Sequence, residues 1–159
     1  MSDDNKSTTG TFTAETEKGE RPLFAAEEVF LSERFQAPDT YWQGLGKQII
    51  PSGFPPDNKF VWLGVYVPEN ATAGDHDFIE EPAYRASYAS GTNADLKSYQ
   101  STTGKIHLEI VPTVEDPRMK GSIEFTAKHA TDGTTVEVTS GEFNFSGLSP
   151  YKSAPFDKP

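Results

Sequence analysis

Between positions 104 and 145 apolar and polar residues alternate with a period of two. In residues 105–111, Ile106, Leu108 and Ile110 share one side while Lys105, His107 and Glu109 share the other, which is the pattern of a half-buried strand. Pro112, Asp116 and Pro117 then break the alternation, as a loop does. It resumes over residues 122–128, with Ile123, Phe125 and Ala127 inward. Asp132-Gly133 predicts a tight turn, because Gly accepts a positive φ without a Cβ clash. Residues 134–145 form the third strand of this meander, but their phase slips. Val136 and Val138 are even-numbered, Phe143 and Phe145 odd-numbered. One extra residue at Ser140-Gly141 puts all four on one face, so a β-bulge is expected there. The alternative sends Phe143 and Phe145 to the other face, beneath a covering loop.

The same pattern, followed from the N-terminus, predicts a short strand at residues 11–15 and a charged turn at 17–21. Residues 23–35 mix helix formers (Ala25, Ala26, Glu27, Glu28) with strand formers (Val29, Phe30, Leu31); strand is the reading that agrees with the rest of the chain. Residues 36–58 hold seven Gly and Pro residues, among them Gly44 and Gly46. They read as the least regular ordered segment, with residues 47–50 as a strand inside it. Residues 60–67 are apolar on both faces: Val61, Leu63, Val65 and Val67 in one row, Phe60, Trp62, Gly64 and Tyr66 in the other. That predicts a strand covered on both sides. Residues 75–79 and 84–89 are further short strands, and 98–102 lead into the meander. The sum is an all-β, single antiparallel β-sandwich of about eight to ten short strands, immunoglobulin-like in size. Residues 11–147 form the domain, 1–10 a disordered tail, and 148–159 an extended strap with Tyr151 and Phe156 as pegs.

Composition narrows the function classes. The chain has 159 residues and no cysteine, so disulfides, thiolate metal sites and a cysteine nucleophile are excluded. A net charge of -10 argues against binding a phosphate backbone or an anionic membrane surface. No run reaches the length of a membrane span. The first ten residues lack the charged start and apolar core of a signal peptide. The expectation is a cytoplasmic chain, or an exported fragment whose leader has been removed.

A resemblance also emerges. Phe12-Thr13-Ala14 opens the series, followed by Gly74-x-His76-x-Phe78, Gly104-x-Ile106-x-Leu108, Gly121-x-Ile123-x-Phe125-x-Ala127 and Gly141-x-Phe143-x-Phe145. This resembles a group of small bacterial β-sandwich proteins, many of them lipoproteins, with no assigned activity. The resemblance spans residues 11–147 and is most specific in the last third of that range. It implies a β-sandwich and no catalytic residue. The chain departs from the group in having no lipobox cysteine.

The candidate chemistry is sparse. Trp62 and Tyr66, with Tyr41 and Trp42 as a wall, form a candidate stacking platform for a sugar ring or a Pro-rich peptide; the competing reading makes them a second core layer. Asp75 and Asp77 on one strand face are the weak candidates for a divalent cation, although the spacing fits no calcium loop. His76, His107 and His129 are scattered, where a zinc site needs convergence. No Gly-x-Ser-x-Gly elbow supports a Ser-His-Asp triad. Asn5-Lys6-Ser7, Asn70-Ala71-Thr72 and Asn144-Phe145-Ser146 match the glycosylation sequon, a match common by chance. The expected function is non-enzymatic binding or structural interaction, without a cofactor, with an unknown protein or a glycan as partner. The alternatives are an acidic inhibitor or immunity-type protein that binds a basic protein, and a hydrolase with dispersed carboxylates.

Overall fold

The computed structural model describes residues 7–18, 22–36, 39–51, 58–92 and 95–149. It is all-β and antiparallel. The strands are β1 (Thr9–Glu17), β2 (Leu23–Ala25), β3 (Glu28–Gln36), β4 (Asp39–Ile50), β5 (Lys59–Pro68), β6 (Gly74–Asp77), β7 (Arg85–Gly91), β8 (Leu96–Ile110), β9 (Arg118–Lys128) and β10 (Thr135–Ser146). Residues 23–35, ambiguous in the sequence, are thus strand. None of the described residues forms a helix long and apolar enough to cross a membrane.

Hydrogen bonding runs through one continuous sheet in the order β2-β1-β10-β9-β8-β7-β5-β4-β3, with β6 against β8 beside this path. The two strands at the ends of the path, β2 and β3, are separated in sequence only by Ala26 and Glu27. A flat sheet would hold its outermost strands many strand spacings apart, at about 4.8 Å each. The two-residue link therefore forces the sheet to curl, and it forms a half-barrel. Two stacked sheets, the sandwich expected from the sequence, are not confirmed. Period-two patterning places a residue on the inner or outer side of a sheet but does not say whether the inner side faces a second sheet or the same one curled round.

Where the edges meet, hydrogen bonds cross the seam. Ser149 N–H donates to Leu31 O (2.8 Å). Leu31 N–H donates to Thr8 Oγ1 at 2.8 Å. The expected disordered tail therefore loses its last residues to the fold, since Thr9 and Gly10 belong to β1. Residues 1–6 lie outside the described residues, as do Tyr151 and Phe156 of the expected strap.

Inside the curl sit Phe12, Leu31, Trp42, Leu63, Val65, Ile106, Leu108, Ile123, Phe125, Val136, Val138, Phe143 and Phe145, all buried in one cluster. Each fully buried side chain of this kind contributes about 1.5–3 kcal/mol. The bulge is where the phase slip put it. Val138 pairs with Phe125 and Gly141 with Ile123, with the register shift between them. Ser140 takes φ 52°, and Phe143 and Phe145 consequently join Val136 and Val138 inside.

One expectation fails clearly. The segment read as irregular contains the twelve-residue strand β4, paired along its length with β3 and β5. Its glycines are not turn residues. A Cβ on Gly44 would lie 2.6 Å from Phe145 Cε2 and 2.8 Å from Met119 Cε, and one on Gly46 would lie 3.0 Å from Phe12 Cδ2. The core side chains pack straight onto the β4 backbone, so the strand needs residues without side chains at these two positions.

Candidate functional site

The outer side of the sheet divides into an apolar half and a charged half. The apolar half lies over β4, β5 and β7. Here Tyr41, Leu45, Trp62, Tyr66 and Ala89 form a second buried cluster with Phe30, Phe60 and Leu96 against it. Alternation along β5 accounts for Trp62 and Tyr66 sharing this side while Val61, Leu63, Val65 and Val67 fill the inside. Tyr41 meets Tyr66 edge-on, with ring centroids 6.1 Å apart. The Arg85 guanidinium sits 4.5 Å from the Tyr66 ring and the Lys47 ammonium 4.7 Å from the Phe60 ring. Trp42, next in sequence to Tyr41, points the other way and belongs to the inner core. The structure therefore brings Tyr41, Trp62 and Tyr66 together and separates Trp42 from them. Their exposures are 8%, 6% and 1%, and that of Trp42 is 2%. A sugar or peptide stacking on them would first have to uncover a ring.

The charged half lies over β6, β8, β9 and β10. A groove of about 430 Å³ runs across it, lined by Asp75, Lys105, His107, Ser122, Glu124, Ser140 and Glu142 among others. A bulge bends its strand and sharpens the local twist, and Ser140-Gly141 stands at the groove wall for that reason. A second hollow of about 260 Å³ adjoins it, shares Glu124 and adds Glu137. Antiparallel register assembles the groove floor as a cross-strand row: Asp75 opposite His107, His107 opposite Ser122, Ser122 opposite Glu142.

Part of this charge is compensated. Lys105 Nζ lies 3.5 Å from Glu124 and Lys120 Nζ 3.3 Å from Glu109, and His107 Nδ1 lies 2.6 Å from Asp75 Oδ1. Part of it is not. Among the described residues Glu15, Glu17, Glu137 and Glu142 have no cationic partner, and Glu17 stands directly opposite Glu137 on the neighbouring strand. Like charges placed opposite each other in a sheet destabilise it.

Asp75, His107 and Ser122 fall on one row in the order a triad would need, yet they do not make one. No hydrogen bond joins Ser122 to His107, and the His107 and Asp75 side chains are 50% and 82% exposed. Water screens such a pair, so nothing here raises the nucleophilicity of Ser122. Asp75 and Asp77 do not converge on a cation either. Asp77 Oδ1 accepts the N–H groups of Ile79 (2.8 Å) and Glu80 (3.2 Å) and so caps its own turn. Among the described residues no three His, Cys, Asp or Glu side chains are placed to hold a metal ion.

His76, read from the sequence only as one of three scattered histidines, turns out to be buried. It is 7% exposed and stacks on Tyr84, with centroids 3.9 Å apart and planes 8° from parallel. Its phase with Phe78 in the Gly74-x-His76-x-Phe78 repeat is the signal that marks it as inward-facing. No family model matches this chain, and neither a curated protein nor a solved structure matches it.

Proposed function

We propose that this chain is a non-enzymatic binding domain that takes a cationic protein or peptide segment on the acidic outer side of β10 and β1. The observation that carries this reading is the facing pair Glu17–Glu137 together with Glu142 in the groove, all without a cation among the described residues. A fold that keeps like charges in register gives up stability, and a basic partner would return it on binding. The net charge of -10 steers such a partner from a distance. The paired groups Lys105–Glu124 and His107–Asp75 frame the groove and leave its unpaired carboxylates as the attractive positions.

The reading is tested by calorimetric titration with an oligolysine peptide and with an uncharged peptide of equal length. Oligolysine binding that weakens about tenfold or more on going from low to physiological salt, and that is lost in a Glu137→Gln/Glu142→Gln variant, supports it. Equal binding of both peptides, or affinity indifferent to salt, contradicts it.

A further inference from the structure

We propose that residues 72–84, the segment carrying β6, form a proton-operated latch whose bolt is His76. The inference is independent of the binding reading above.

The geometry around the ring is specific. His76 Nδ1 lies 2.9 Å from Glu81 Oε2, and Nε2 lies 2.7 Å from the backbone carbonyl of Thr72. Both of these close partners are acceptors only; the Thr72 hydroxyl also faces Nε2, but at 3.4 Å, too long for a hydroxyl to make more than a weak bond to it. A neutral imidazole has one N–H and one lone pair, so it satisfies one of these contacts and sets its lone pair against the oxygen of the other. The doubly protonated ring satisfies both. Tyr84 lies flat against the same ring, which favours a cation over its π face, and its hydroxyl accepts Thr72 N–H at 3.3 Å. Thr72, His76, Glu81 and Tyr84 are thus closed into one unit.

Among the described residues no other charge reaches the buried ring. On its own strand Asp75 and Asp77 point to the outer side, where they meet His107 and the turn amides. On β8 its register partner is Ile106, while the flanking Lys105 and His107 also face outward. Among the described residues Glu81 is the one carboxylate at the ring.

Histidine changes charge between about pH 5 and 8. With the proton present, the ring ties the turn at Glu81 to the loop at Thr72 across the buried face of β6. With the proton gone, one of the two ties is lost and the segment opens more readily. Because Asp75 on this segment lines the groove, the latch sets how firmly one groove wall is held.

The test is amide hydrogen exchange on the full chain, corrected for the intrinsic effect of pH on exchange. Protection of residues 72–84 should fall about tenfold between about pH 5.5 and about pH 8, the loss expected for one charge-assisted hydrogen bond. The His76→Gln variant should lose this dependence, and the His107→Gln variant, altered only at the exposed pair, should keep it. Should His76→Gln fail to fold, Glu81→Gln serves instead: protection should drop at the acid end and stay unchanged at the alkaline end. Protection indifferent to pH in the native chain, a dependence that survives His76→Gln, or one abolished by His107→Gln would each overturn the proposal.

Discussion

Thr8 Oγ1 and Ser149 Oγ lie 2.7 Å apart across 141 positions of sequence. The same Thr8 hydroxyl donates to Gly147 O at 2.8 Å and accepts Leu31 N–H at 2.8 Å. A hydroxyl has one proton and two lone pairs, so Ser149 must be the donor of the pair and Thr8 Oγ1 is then saturated. One side chain thereby joins the start of β1, the edge strand β3 and the chain leaving β10. Replacing Thr8 with Val keeps the shape and removes all three bonds, leaving Leu31 N–H without its partner. Urea titration should show a loss of about 1–3 kcal/mol, whereas Thr8→Ser should be close to neutral.

Gly44 in β4 offers a second test of how the curl closes. The Gly44→Ala methyl would press into Phe145 and Met119, at a cost of about 1–3 kcal/mol for overpacking. Met119 is flexible and shortening it makes room, so Gly44→Ala/Met119→Ala should be less destabilised than the sum of its two single variants. Denaturation of the four proteins reads this coupling directly.

These two positions also mark how far the sequence reaches. The meander at 104–145, its bulge and the doubly covered β5 were legible because each rests on local alternation, which is a property of neighbouring residues. β4 was not, because Gly44 and Gly46 read locally as breakers, and their actual role depends on Phe145, Met119 and Phe12 arriving from distant strands. The curl was hidden for the same reason: it follows from which strands pair, and alternation is silent on pairing. At the candidate site, the buried rings of Trp62 and Tyr66 were foreseen as one of two readings. The facing of Glu17 and Glu137 could not be, since register across two strands separated by most of the chain decides it.

The Lys97–Asp132 contact gives a pH prediction. The Lys97 ammonium, 2.5 Å away, holds the Asp132 carboxyl well below the usual carboxylate range by hydrogen bonding, with Thr134 adding to the effect. The same hydrogen bond raises the Lys97 ammonium above its ordinary value. The depressed carboxyl contributes stability above about pH 4 that disappears as pH falls through its folded value. The raised ammonium contributes stability below about pH 10 that disappears as pH rises through its folded value. Native and Lys97→Met proteins should therefore differ by a constant margin in between and converge at both extremes. Both groups are well exposed, so the margin should be small and should shrink with salt.

Glu137→Gln separates stability from function. Removing one charge of the facing pair should stabilise the fold by about 0.2–1 kcal/mol, most at low salt, while weakening the binding of a basic peptide. Destabilisation by this substitution would show that Glu137 is held by something other than its repulsion from Glu17.

The most direct test is amide chemical-shift mapping of the labelled chain during titration with oligolysine. The account predicts that perturbations gather on β1 and β10, around Glu15, Glu17, Glu137 and Glu142, and fade as salt is added. Perturbations centred on the Trp62 indole and Tyr66, or none at all at low salt, would contradict it.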